Sequence, residues 1–354
     1  MKRDASPLKI DLALQGGGAH GAFTWGVLDR LLDEKRLTIE AVSGASAGAM
    51  NAVVMAHGLV SGGRSDARQA LEEFWRRIAD SAARTPLGVA AEFLHLDEHI
   101  KPTAFGWWSP AIGMQITQAI FSGLFSPYQF NPFNLNPLLD IIRDSVDFDA
   151  LRRTRDIKLM ISTTRVSDGG LRIFRNHELS ADVVMASACL PELFHAVEIE
   201  GESYWDGGYV ANPAFEPLIA ETEADDLLLI QLNPPRRDAT PKSAKEIANR
   251  LNEIMFNANL RQALHLIGQL KIALNDEAMS GELNNALFRR LQQLRIHRIA
   301  ADETVFHLHR ATKMDPRWEH LLRLRNLGAT AAEKWLESDG ESLGVKSSID
   351  FATL

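Results

Sequence analysis

An α/β fold with a mainly parallel central sheet covered by helices is predicted by three features of the sequence. Short apolar runs alternate with amphipathic helical patterns, as they do when crossover helices link parallel strands. Two glycine-rich turns stand where an apolar run gives way to a helical pattern, one at residues 15–21 and one at 44–48. The composition is that of an ordinary globular chain: 354 residues, 45% hydrophobic and 24% charged, long enough for one large α/β domain with an extension.

Ile10 to Leu14 reads as the first buried strand, and it runs directly into Gln15-Gly16-Gly17-Gly18-Ala19-His20-Gly21. A helical pattern follows from about Ala22 to Glu34. Three glycines at a helix start leave backbone N–H groups unhindered, which is what a developing oxyanion needs; one such donor is worth roughly 100- to 1,000-fold in rate. A second reading competes, because Gly16, Gly18 and Gly21 also spell the dinucleotide fingerprint G-x-G-x-x-G, with Glu40 as the ribose acid. Placement disfavours it: that acid should end the second strand, whereas Glu40 stands near the start of the apolar run.

Ile39 to Val42 reads as the second strand and leads into Gly44-Ala45-Ser46-Ala47-Gly48, a match to G-x-S-x-G. A serine held on a sharp strand-to-helix turn is a nucleophile elbow, and the strain of that turn demands glycine two residues before and two after it. Ala47 to Leu59 supplies the following helix, whose N-terminus favours negative charge near Ser46. Both glycine turns then fall at the carboxyl edge of the sheet, where open α/β sheets place their sites.

Ser65 to Ala83 is helical in pattern. Residues 102–137 are crowded with aromatic and aliphatic side chains, among them Trp107, Trp108, Phe121 and Phe125, interrupted by prolines. They fit either a core helix pair or an apolar cap that binds acyl chains or touches a bilayer interface. His95 and His99 lie one helical turn apart near Glu92 and Glu98, but no H-E-x-x-H pattern or third ligand supports a metal site.

Leu138 to Asp144 and Ala181 to Ser187 read as helices; Ile157 to Thr164, Leu171 to Phe174 and Leu227 to Leu232 read as strands. Glu198 to Tyr204 reads as a hairpin turning at Glu200-Gly201-Glu202, and Trp205-Asp206-Gly207-Gly208-Tyr209 follows it. By itself an aspartate before two glycines is a plain turn. Cys189, the single cysteine, excludes an intrachain disulfide and, among small apolar neighbours, reads as a packed core residue. Beyond Asn233-Pro234-Pro235 the texture changes to long amphipathic patterns at Ser243 to Leu274, Leu283 to Ile299 and Pro316 to Glu337, with a strand pattern at Glu303 to Arg310.

The glycine loop, the serine elbow and the Asp206 motif, with Ala186-Ser187-Ala188-Cys189-Leu190-Pro191 before it and Asn212-Pro213 after it, together resemble the patatin-like phospholipase family in order and content. The resemblance covers roughly residues 9 to 235. It implies a three-layer α/β catalytic domain at 9–235 and a mainly helical extension at 236–354 packed on it. It further implies a lipid acyl hydrolase with a Ser-Asp dyad and neither metal nor cofactor at its centre. Carried over by position, Ser46 is the nucleophile, Asp206 its general base, and Gly16, Gly17 and Gly18 the oxyanion-hole segment. Gln15 and His20 depart from the family pattern, which has an acidic residue before the glycines and a basic one, commonly Arg, before the last.

A Ser-His-Asp triad is the competing mechanism, with His307 or His309 as the histidine, though no local signature marks either. Two other functions compete with hydrolysis: a nucleotide-binding regulatory module and a catalytically silent lipid-binding protein. The net charge of −8 argues against nucleic acid and against electrostatic recruitment to anionic lipid, so contact with a phospholipid or other acyl-ester substrate is expected to be mainly apolar. With no apolar stretch resembling a signal peptide or spanning helix, the expected location is cytoplasmic, peripheral at a membrane at most.

Overall fold

The computed structural model describes residues 7–84, 126–234, 236–237, 240–278, 285–301 and 310–351. Among them, eight strands form one sheet: β1 (Leu8–Leu14), β2 (Leu37–Gly44), β3 (Lys158–Arg165), β4 (Leu171–Arg175), β5 (Val197–Ile199), β6 (Glu202–Asp206), β7 (Asp226–Gln231) and β8 (Arg295–Ala300). Their order is β5-β6-β3-β2-β1-β7-β8, with β4 beside β3. From β3 to β8 all pairings are parallel, whereas β4, β5 and β6 pair antiparallel.

The central strands are mostly apolar because both of their faces are covered. Leu12, Leu14, Leu228 and Ile230 enter one apolar cluster; the alternating Ala13, Leu227 and Leu229 enter the other. The first cluster is closed by α1 (Gly21–Asp33), α2 (Ala47–Gly62), α3 (Arg64–Arg84) and helix Trp318–Ser338. Helices Glu216–Glu221, Ala244–Ala278 and Ala286–Gln293 close the second. The result is a three-layer α/β/α arrangement, with helices from both ends of the chain on one side of the sheet and helices from residues 216–293 on the other.

Leu283 to Ile299 is not one helix. Helix Ala286–Gln293 stops, and Arg295–Ala300 pairs in parallel with β7. Ile296 and Ile299 are three apart, which suggests one face of a helix, but they enter opposite apolar clusters as odd-spaced strand residues do. The strand also satisfies the outer edge of β7, and His297 joins it further by pairing Nε2 with Asp226 Oδ1 at 2.9 Å.

The hairpin turns where expected, with Glu200 and Gly201 at φ 53 and 83°, the paired positive values of a tight two-residue turn. Cys189 is fully buried and its Sγ donates to the His195 carbonyl at 3.0 Å. Burial, then the nearby Asp206 charge, pushes its thiol up to about 12, as for an inert packed residue. Trp107, Trp108, Phe121, Phe125, His95, His99, His307 and His309 lie outside the described residues. At the described end of the 102–137 segment, Tyr128, Phe133 and Leu135 are 57%, 83% and 71% exposed, so this end is surface and not core. No helix among the described residues is long and apolar enough to cross a membrane.

Candidate active site

Sheet register brings the three motifs together. The ends of β1 and β2 are level, Leu14 opposite Gly44, so the glycine loop and the serine turn leave the same edge side by side. Strand β3 has two edges, and β4 covers 160–164 along one of them. On the other, β2 pairs up to Gly44 opposite Ile161, and β6 ends at Asp206 opposite Thr163. The antiparallel β6 therefore meets β2 end to end, and Asp206 faces the turn that carries Ser46.

Ser46 has φ 54° and ψ −126°, a region costly for a side-chain-bearing residue, by about 1–3 kcal/mol. The turn is held by Ser46 N–H, which donates to the Ser187 carbonyl at 3.1 Å and to its Oγ at 3.0 Å; that hydroxyl in turn donates to the Ser162 carbonyl at 2.7 Å. A Cβ on Gly48 would strike the Leu14 carbonyl oxygen, and one on Gly44 would lie 2.7 Å from the Gly48 carbonyl carbon, so the turn requires both glycines. Ser46 stands at the start of α2, yet its side chain does not cap that helix and remains half-buried at the sheet edge.

Asp206 is completely buried. Its Oδ1 accepts from Gly208 N–H at 2.7 Å, while Oδ2, also buried, has no hydrogen-bond partner. Loss of hydration raises the carboxyl to about 7, opposed by the Gly208 N–H and the Ser46 hydroxyl and reinforced by the charge of Glu192. The hydroxyl is near enough to favour the charged carboxylate but does not close a hydrogen bond on Oδ2, a looseness common before substrate tightens such a site.

In the glycine loop, Gly16 N–H donates to Asn212 Oδ1 at 2.7 Å and is thereby occupied. Its lack of a Cβ matters instead: one there would lie 2.6 Å from Ser46 Cβ. Among the described residues nothing accepts from the N–H groups of Gly17 or Gly18. His20 is buried, pairs through Nε2 with Thr312 Oγ1 at 2.9 Å, and is held neutral, its pKa depressed to about 3 by burial and then by the charges of Lys313 and His320. It brings no positive charge to the loop.

Glu40 is taken up by Lys158 at 3.2 Å, Lys9 at 3.5 Å and the Glu223 N–H at 3.0 Å, which leaves the dinucleotide reading without its ribose acid. Ser187, Asn212 and Gln15 support the site; the sequence motifs contain all three without showing what each one holds. Their partners are far away in sequence, so no local spacing signals them. Among the described residues no cluster of three or more His, Cys, Asp or Glu could hold a metal.

A half-buried serine in a strained turn, a buried carboxylate whose proton affinity is near neutral, and two unoccupied backbone donors form a set suited to acyl transfer. The chain aligns over 94% of its length with VipD from Legionella pneumophila, covering 67% of that chain at 18% identity and a TM-score of 0.42. It aligns likewise with ExoU, as seen in the heterodimeric ExoU–SpcU complex from the type III secretion system of Pseudomonas aeruginosa, over 94% of this chain and 76% of that one, at 16% identity and a TM-score of 0.29. No curated protein sequence matches it significantly. The sequence model of the patatin-like phospholipase family matches residues 12–219, more than half of the chain, with both glycine turns and Asp206 inside the match: the chain belongs to the patatin-like phospholipase family.

Proposed function

We propose that this lipid hydrolase cleaves carboxylic ester bonds through an acyl-enzyme on Ser46, with Asp206 as general base and the N–H groups of Gly17 and Gly18 as the oxyanion hole. The observation that supports this most is the buried Asp206 carboxyl, its Oδ2 unpartnered and its proton affinity raised by burial and held down by the Gly208 N–H and the Ser46 hydroxyl beside it. A buried acceptor with no partner is expensive unless function requires it.

In the forward step Ser46 Oγ attacks the ester carbonyl carbon while Asp206 takes the hydroxyl proton. The displaced carbonyl electron pair settles on oxygen and is received by Gly17 and Gly18. Collapse of the tetrahedral intermediate breaks the bond to the alcohol, and Asp206 returns its proton to the leaving alkoxide. Water, giving its proton to the same carboxylate, then attacks the acyl-serine; the ester bond to Ser46 Oγ breaks, Asp206 passes the proton to Oγ, and the fatty acid leaves. Only the ionised carboxylate starts this sequence, so turnover rises with pH and levels off above about 7. The exposed Tyr128, Phe133 and Leu135 are the surface we assign to lipid contact.

Fluorophosphonate labelling with peptide mapping tests the reading. Rapid label on Ser46, and loss of ester hydrolysis in a folded Ser46→Ala variant, are expected. Label on a different serine, or near-normal turnover by Ser46→Ala, would overturn it.

A further inference from the structure

The loop that presents Gly17 and Gly18 is held mostly by residues far from it in sequence. Its own internal bonds are His20 N–H to the Gly17 carbonyl at 3.3 Å and Gly21 N–H to the Gly18 carbonyl. At its first residue the fully buried Gln15 accepts through Oε1 from Leu232 N–H and Asn233 N–H, each at 2.8 Å, and donates through Nε2 to Asn257 Oδ1 at 2.8 Å. At the far end His20 pairs with Thr312. Between them, the Lys313 carbonyl lies against Gly18, which has φ 60° and no room for a Cβ. Lys313 Nζ also donates to Asn233 Oδ1 at 2.6 Å, joining this contact to the Gln15 end.

Gln15 and His20 are the two positions at which the loop departs from the family pattern. Each has one side-chain partner beyond residue 235: Gln15 Nε2 donates to Asn257 on helix Ala244–Ala278, and His20 pairs with Thr312 on the Arg310–Met314 turn. Gln15, His20 and Asn257 are all buried, so loss of either partner strands a polar group without water and the loop must shift to find it.

We infer that Asn257, Thr312 and Lys313 are positioning residues that set where the Gly17 and Gly18 N–H groups point, making the C-terminal segment a working part of the oxyanion hole. This rests on the acyl-transfer reading above. Oxyanion donors act through placement, and a displacement of about 1 Å costs on the order of 100-fold in rate. The effect falls on the transition state, where charge has built up on oxygen, and spares ground-state binding.

Thr312→Val and Asn257→Leu remove the polar partners with little change of volume. With a short soluble ester, each is expected to lower kcat roughly 10- to 100-fold with little change in KM. A trifluoromethyl ketone, which forms a tetrahedral adduct with an active serine, should bind more weakly by the same factor, while a non-hydrolysable ether analogue binds as before. Thr312→Ser should restore kcat. Folded variants with wild-type kcat and ketone affinity overturn the inference, and so does equal weakening of ketone and ether, which marks mere structural damage. If Thr312→Val does not fold, Lys313→Met decides by the same measurements. A wild-type protein that neither hydrolyses esters nor labels on Ser46 instead overturns the acyl-transfer reading beneath; failure of the positioning inference alone leaves wild type active and labelled.

Discussion

Replacing Asp206 with asparagine separates a carboxylate kept for chemistry from one kept for stability. The ordinary aspartate value is 3.8 and the buried site raises it to about 7. Between those values the native state holds a proton that the unfolded chain has released, so stability falls as pH rises. Below pH ~4 both states are protonated, and above about 7 both are ionised and the slope ends. Three powers of ten in proton affinity, each worth about 1.4 kcal/mol, set the penalty at pH 8 at no more than about 4 kcal/mol. Asparagine keeps an oxygen for Gly208 N–H and never ionises. Asp206→Asn should therefore be more stable than wild type at pH 8, with the gap closing toward pH 4, while turnover falls roughly 100-fold or more. Urea unfolding followed by circular dichroism across this range, with ester hydrolysis at pH 8, measures both; other titrating groups cancel in the difference. An asparagine variant less stable than wild type at pH 8 would refute the reasoning and make Asp206 a structural anchor.

Gly17→Val places a Cβ 3.0 Å from Leu232 Cδ1 beside the proposed donors, so kcat should fall further than KM rises; an equal change in both would argue against a transition-state role. Gly48→Ala drives a methyl into the Leu14 carbonyl, and a loss of about 3 kcal/mol or more is expected in urea unfolding. A loss under about 1 kcal/mol would mean that the serine turn relaxes easily.

Much of the site is written locally in the chain. Gly44, Ser46 and Gly48 are readable because a strained turn dictates both its residue types and their spacing, and β1 and β2 because strands covered on both faces are rich in apolar residues. The hairpin at Glu200-Gly201 is equally local, its turn needing two positive φ values. Local pattern failed where two structures share one spacing: Ile296 and Ile299 suit a helical stripe as well as a strand, and only the open edge of β7 decided for the strand. It failed again where hydrogen bonds join distant segments. That Gly16 N–H belongs to Asn212, that Gln15 and His20 are answered by Asn257 and Thr312, and that Asp206 is stripped of water until its affinity for a proton nears neutrality all depend on what folding brings alongside. Residue types and spacings determined the chemistry available to this protein. The tertiary structure decided which N–H groups of the glycine loop remain unoccupied and how strongly its carboxylate holds a proton, because occupancy and desolvation belong to neighbours remote in sequence.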